Sequence, residues 1–416
     1  MELNTSENTP ERKSFSKRVL IAVIAIAFLG GFLVSAAFDG GNPVYRLVNK
    51  DSQTVEDVDF SLFWKVWDDL QKKYVEPAQL DPKTMVYGAI KGMVDSVGDP
   101  YTVFLEPESS KKFESEIAGS FGGVGIEIDK RNDVLMVVAP IRDTPAFKAG
   151  ILAGDKILEI DGKSTQDLSI DEAVKLIRGR PGTKVTLGII RNGKEDMLEF
   201  SLIRENIRIP ATNLKYIDNN NNKIAYLQIH MFNQNVVSEF RKNSQDILKN
   251  NPSAIVLDLR NNPGGLLDAA VDIAGYFLDS NALVTKEEFG DGKTNDFLAM
   301  GGSALKSYPV VILVNGGSAS ASEILAGALH DNRGIKLVGD KTFGKGLVQE
   351  LQKYSDDSSL KVTVARWLTP NGVNISKTGL EPDIKIVIPK DADPETVTIG
   401  EPGKDPQLDK ALEILR

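Results

Sequence analysis

The residues with the most chemical reach sit in three glycine-rich segments. Asp258-Leu259-Arg260-Asn261-Asn262-Pro263-Gly264-Gly265 follows an apolar run, 254–259, that reads as a buried strand. Gly316-Gly317-Ser318-Ala319-Ser320-Ala321-Ser322-Glu323 joins a 310–314 strand to a helix over 322–329. Gly339-Asp340-Lys341-Thr342-Phe343-Gly344-Lys345-Gly346 follows a 335–338 strand. In α/β sheets, sites form at the carboxyl ends of strands, and glycine lets backbone N–H groups approach a ligand closely. The three loops are therefore expected to converge on one cleft. A serine at a sharp strand-to-helix turn is exposed beside helix-terminal N–H groups that suit an oxyanion, and Lys345 is the natural base. A lysine base must be neutral. From an ordinary pKa of about 10.4, the neutral form at pH 7 is roughly a 1-in-2,500 species, a penalty of about 4.6 kcal/mol. Burial that lowers the pKa to about 8 cuts this to about 1.4 kcal/mol. Phe343, Gly344, Gly346 and Leu347 flank Lys345 and favour such burial.

Other readings compete. Gly339-x-x-x-x-Gly344-Lys345 is nearly a P-loop, and the 254–258 strand ends in Asp like a Walker-B strand. Gly346 stands where that motif needs a magnesium-binding hydroxyl, and the order of the two elements is reversed. Ser320-x-x-Glu323 also matches a capping box, so the serine run could serve only to start a helix. The local pattern leaves Ser318, Ser320 and Ser322 all open as nucleophile.

Composition narrows the field. The 416 residues include no Cys and two His, His230 and His330. Thiol chemistry, disulfides and Cys-based metal sites are excluded, and neither a metal nor a cofactor is expected. A net charge of -9 argues against nucleic acid as a partner. With 41% hydrophobic and 26% charged residues the chain is of ordinary globular composition, long enough for two or three domains.

The elements that would position the loops follow in order. Residues 1–18 are polar and end in a basic cluster, and 19–38 is an uncharged run long enough to cross a hydrocarbon core. It reads as a transmembrane signal anchor, with a cleaved signal peptide as the alternative. The rest of the chain is then expected outside the cytoplasm, anchored in the cell membrane or, after cleavage, secreted or periplasmic. A 39–55 tether leads to a small helical segment, 56–116, in which Phe60, Phe63, Trp64, Trp67 and Leu70 share a helix face and a second helix spans 82–97. From 117 to 205 the texture is short strands and glycine turns. Ser169-Ile170-Asp171-Glu172 is a capping-box match opening a short helix. Residues 206–390 alternate strand and helix, which argues for an α/β layer fold. The final segment, 391–416, carries an amphipathic helix opened by Asp405-Pro406.

Residues 117–205 resemble a PDZ domain. The specific parts are Gly122-Gly123-Val124-Gly125 before the strand Ile126-Glu127-Ile128, then Pro145-Ala146, Ala149-Gly150-Ile151, and Gly154-Asp155-Lys156-Ile157-Leu158-Glu159-Ile160-Asp161-Gly162. The N–H groups of Gly123, Val124 and Gly125 can form a nest for a carboxylate. The edge at Ile126 and Ile128 can accept an extended peptide, with Val174 and Ile177 walling the groove.

Residues 60–416 resemble the carboxy-terminal processing proteases, the tail-specific serine endopeptidases. Besides the PDZ set, the hallmarks are Asp99-Pro100-Tyr101-Thr102, Asp258 to Gly265, Gly317 to Glu323, and Thr342-Phe343-Gly344-Lys345-Gly346. The resemblance implies a crotonase/Clp-protease-like α/β core with an inserted PDZ domain. It implies Ser320 as nucleophile, Lys345 as general base, Gln349 as the residue that positions the lysine, and Asp331 as structural support. The oxyanion donors would be the N–H groups of Ala321 and of Gly264 or Gly265. The implied substrates are proteins or peptides with exposed C-termini, bound by the PDZ groove, which gates activity in some members. A homodimer through the 60–70 and 405–416 helices is the assembly it suggests. His230 and His330 receive no catalytic role. An adaptor built on an inactive scaffold would lack Ser320 or Lys345, and both are present.

Overall fold

The computed structural model describes residues 59–416, except 132, 192, 195, 221 and 390–396. The chain divides into two compact units, 1–80 and 81–416. In the first unit the helix Ser61–Lys73 follows Asp59, whose carboxylate accepts from the Ser61 N–H at 2.8 Å. Phe63 and Trp64 meet edge to face, 4.9 Å between ring centroids.

The second unit is built on a six-stranded sheet. Its strand order is Thr212–Asn219, Asn222–Ile229, Ala254–Asp258, Val310–Val314, Lys336–Gly339 and Ile384–Lys385. The first pair is antiparallel and every later pair parallel. The central strands are buried on both faces, which explains their unbroken apolar runs. Side chains alternate between those faces. Ile255, Leu257, Val310 and Ile312 pack under the helices Val236–Asn250, Leu267–Ala274 and Ala321–Arg333. Val256, Val311 and Leu313 pack on the other side against Leu408, Ala411 and Leu412 of the helix Pro406–Ile414. The apolar stripe of that last helix is thus used within the chain, not held out for a second copy.

A second, antiparallel sheet joins Val103–Leu105, Ser359–Leu368, Leu283–Phe289 and Thr294–Leu298, with Leu347–Lys353 paired to Ser359–Leu368. Apart from a 362–367 stretch, none of it is expected from periodicity. Its strands are short or strongly polar, as in Leu283–Phe289 with Lys286, Glu287 and Glu288. The helix Pro107–Ala118 is also unforeseen.

The PDZ-like insert has its own sheet, Ile126–Arg131, Val134–Pro140, Lys156–Ile160, Lys184–Ile190 and Leu198–Ile203, and its own core around Val137, Ile157, Leu187 and Ile189. The capping box at Ser169 forms as expected and starts the helix Ile170–Ile177. Ser120–Gly123 pairs antiparallel with Glu205–Arg208, so the two ends of the insert leave side by side. The architecture is therefore mixed α/β with a separate β-rich insert.

The expectation of a membrane anchor is corrected. Among the described residues no helix is long and apolar enough to cross a membrane. The 19–38 run, read as anchor or signal peptide, lies outside the described residues. Membrane attachment, a membrane partner and an anchored, extracytoplasmic location are accordingly withdrawn.

One buried charge cluster ties the C-terminal segment to the sheet. Arg260, fully buried, pairs with Asp258 at 2.6 Å and with Asp405 at 2.8 Å. It also donates to Gln407 Oε1 at 2.9 Å. Burial alone would raise the Asp405 pKa, but Arg260 and the N–H groups of Gly400 and Leu408 hold it below the usual carboxylate range. A depressed native pKa means the stabilisation is complete above the unfolded value of about 3.9 and is lost as pH falls below it. Asp405→Ala leaves part of a buried guanidinium unpaired. It is expected to cost about 3–5 kcal/mol in urea unfolding at neutral pH. A cost below about 1 kcal/mol, the range of an exposed pair, would show that the cluster does not hold the C-terminal segment.

Candidate active site

Ser320 stands at the start of the Ala321–Arg333 helix, just past the Val310–Val314 strand, with φ 55° and ψ -119°. A side chain with positive φ is strained, and such strain gathers at functional sites. The turn is held by its neighbours. Ser318 and Ser322 are fully buried. Their hydroxyls donate to Leu259 O at 2.8 Å and Asn262 O at 2.9 Å. Two of the three serines are therefore committed to joining this loop to the 258–265 loop. Ser320 lines a cavity of about 780 Å³.

Lys345, Gln349, Ala321, Gly264 and Gly265 line the same cavity, so all three glycine-rich loops do meet. Gly264 is required there. A Cβ on it would lie 2.7 Å from Ser320 Cβ and 2.6 Å from Ala319 O. Its N–H is already given to Asn262 Oδ1 at 2.9 Å. Gly265 and Ala321 line the cavity beside it.

The signal that periodicity understates is Glu323. Expected as a helix cap, it does reach back to Ser320 N at 2.9 Å. Its fully buried carboxylate also accepts from Thr342 Oγ1 at 2.5 Å, Gly344 N at 2.8 Å and Lys345 N at 3.0 Å. Burial raises its pKa, against the pull of these bonds. The P-loop reading fails here for a physical reason: N–H and hydroxyl donors of the 339–346 loop are committed to an internal anion.

Lys345 precedes the Leu347–Lys353 strand, and its carbonyl accepts from Trp367 Nε1 at 2.9 Å. Its amine is partly buried. Burial first, then the positive charge of Lys361, lowers its pKa below the ordinary lysine value, while Glu323 and Asp99 act in the opposite direction. Among the described residues Lys345 makes no salt bridge, so the direct carboxylate partner that would keep it charged is missing. No hydrogen bond joins it to Ser320. Gln349 sits just past an irregularity in strand pairing, with Nε2 3.5 Å from Thr363 Oγ1.

The other expected residues lie elsewhere. Asp331 accepts from Asn371 N at 3.0 Å and meets His330 Nδ1 at 3.2 Å, holding a turn instead of lining the cavity. Neither histidine lines it. In the insert, Val124, Gly125, Ile126, Ile128, Val174 and Ile177 line one small groove of about 50 Å³ together with Phe121 and Arg178. Gly123 does not line it and instead closes the edge pairing with Glu205.

Comparisons with known proteins agree with this assembly. Residues 223–386 match peptidase family S41, 122–202 match the PDZ domain, and 36–109 match the N-terminal domain described for the activating protease CtpB. The chain is 35% identical over 343 residues to the carboxy-terminal processing protease CtpA of Bacillus subtilis (strain 168), covering 82% of this chain and 72% of that one. It is 37% identical over 327 residues to the carboxy-terminal-processing protease of Bartonella bacilliformis, covering 77% and 74%. Among solved structures, one described as an S41 protease from Bacteroides fragilis NCTC 9343 covers 88% of this chain and 99% of its own, with a TM-score of 0.54. At 16% identity it speaks to fold alone. A strained serine, a partly buried lysine and a PDZ-type insert, together with relatives of this similarity, lead to one conclusion: the chain belongs to the carboxy-terminal processing proteases of peptidase family S41, which are serine endopeptidases.

Proposed function

We propose that this protein cleaves protein substrates at or near their C-termini by acyl transfer, with Ser320 as nucleophile and Lys345 as general base. The observation that carries the reading is the pairing, in one cavity, of a strained helix-initial serine with a lysine whose pKa is lowered by burial. Neutral Lys345 takes the Ser320 proton as Oγ attacks the scissile carbonyl. The oxyanion falls to the N–H groups of Ala321 and Gly265, with Gly264 shaping the turn beside them. Lys345 returns its proton to the leaving amine as the C–N bond breaks. Water, activated by the same amine, then hydrolyses the acyl-enzyme and restores the serine. Gln349 positions the lysine from the neighbouring strand, and Asp331 supports the surrounding turn.

The insert and the core take matching roles. The groove of Val124, Gly125, Ile126, Ile128, Val174 and Ile177 binds the substrate's terminal residues by strand addition, and Gly123 helps hold the loop. The core is of the crotonase/Clp-protease-like type, supported by its parallel sheet and helix layers. A 117–205 PDZ domain and a 206–390 protease core are the corresponding domains.

Ser320→Ala and Lys345→Ala are each expected to lower turnover of an unfolded protein with an apolar C-terminus by at least about a thousandfold, with unchanged circular dichroism. Turnover surviving Ser320→Ala would remove that serine as nucleophile.

The pH dependence supplies a second test. Rate should rise with pH along a limb set by Lys345, below the usual lysine value of about 10.4. Lys361 disfavours the charge on Lys345, so Lys361→Met should raise the Lys345 pKa and move that limb to higher pH. An unmoved or downward-shifted limb would mean that the limb does not report Lys345.

A further inference from the structure

Asp99-Pro100-Tyr101-Thr102 has so far no role. The Thr102 N–H donates to Asp99 O at 3.1 Å, closing a turn with Pro100 at its second position. The Asp99 carboxylate accepts from Tyr101 N at 3.0 Å, Thr102 Oγ1 at 2.7 Å and Thr363 Oγ1 at 2.6 Å. Burial would raise its pKa, but Thr363, Thr102 and the Tyr101 N–H hold it low. Thr363 N in turn donates to Thr102 Oγ1 at 3.1 Å. The turn is thus fastened to the Ser359–Leu368 strand, which also carries Lys361 and Trp367.

What this fastening presents to the Lys345 amine is an aromatic face. Lys345 Nζ lies 5.3 Å from the centroid of the Tyr101 ring, within the roughly 6 Å at which a ring attracts a cation. The charged groups facing Lys345 are Asp99 from the turn, Glu323 from the Ala321–Arg333 helix and Lys361 from the Ser359–Leu368 strand. Neither carboxylate forms an ion pair with it among the described residues. A direct carboxylate would keep the amine permanently charged, and a purely apolar wall would penalise the ammonium that forms as the serine proton is taken. An aromatic face lies between these extremes. It tolerates the neutral amine and stabilises the cation when it appears.

We propose that Tyr101 is a second positioning residue for Lys345, beside Gln349: its ring face holds the amine and stabilises the ammonium formed during acylation. This rests on the reading of Lys345 as general base. It gives the Asp99 turn a purpose, which is to hold that ring at a fixed distance from the amine.

The test is kcat against pH for the full chain, using an unfolded protein with an apolar C-terminus, in wild type, Tyr101→Phe, Tyr101→Leu and Lys345→Ala. Phe keeps the ring face and should leave limb and plateau within about twofold of wild type. Leu removes it while keeping an apolar wall. Its plateau should fall about three- to tenfold, and its acid limb should move down by roughly half to one pH unit, because the ammonium has lost a stabilising contact. A general packing defect would lower the rate without moving the limb to lower pH, and that result overturns the proposal. So does a Phe variant as impaired as Leu. If Leu does not fold, Tyr101→Met reads the same two quantities. An inactive Lys345→Ala beside an unmoved limb in Leu or Met sinks the ring proposal alone, whereas an active Lys345→Ala sinks the base assignment and the ring proposal with it.

Discussion

A buried carboxylate must be met by donors or it destabilises the fold, and Glu323 turns that requirement into geometry. Its donors come from two separate loops: Ser320 N on its own helix turn, and Thr342, Gly344 and Lys345 on the segment after the Lys336–Gly339 strand. Withdrawing either loop leaves a fully buried carboxylate short of partners. The positive φ of Ser320 is therefore offset by bonds that also fix the backbone of Lys345.

The rest of the molecule extends this junction outward. The parallel sheet delivers the 258–265, 315–322 and 339–346 segments to one end, and Ser318 and Ser322 bolt two of them together. The antiparallel sheet supplies the opposite wall, with Trp367 bonded to the Lys345 carbonyl and Lys361 setting the local charge. The insert stands beside this core with a separate apolar interior. Helix Pro107–Ala118 joins the two: its Glu108 meets Lys175 of the insert at 2.7 Å, and its Phe113 and Ile117 line the cavity that holds Ser320.

Features set by neighbouring residues are legible in the amino-acid sequence alone. Apolar runs predict the central strands, Ser169 and Glu172 predict a helix start, and glycine loops after strands predict where a site forms. Contacts across long sequence separations are not legible in this way. Glu323 reads as a cap from its spacing to Ser320, and nothing in that spacing announces Thr342, Gly344 or Lys345. The Arg260–Asp405 contact spans 145 positions and has no local pattern at all. The Leu283–Phe289 and Thr294–Leu298 hairpin escapes because Lys286, Glu287 and Glu288 break the apolar pattern of its first strand and the second is largely polar and exposed. The assignment of Ser320 among three serines rests on family likeness, and the physical distinction appears only in the folded chain, where Ser318 and Ser322 are consumed by backbone carbonyls.

The Arg260 cluster bears on the order in which the molecule matures. A chain growing from its N-terminus produces Arg260 long before Asp405, and until Asp405 arrives the guanidinium has only part of its complement. The same arriving segment brings Leu408, Ala411 and Leu412, which cover the far side of the sheet. Arg260 lies at the root of the loop that ends in Gly264 and Gly265. Residues 405–412 therefore complete the surroundings of the foot of the 258–265 loop. The charge partners of this loop are thus complete only once a segment 145 positions further along the chain has docked.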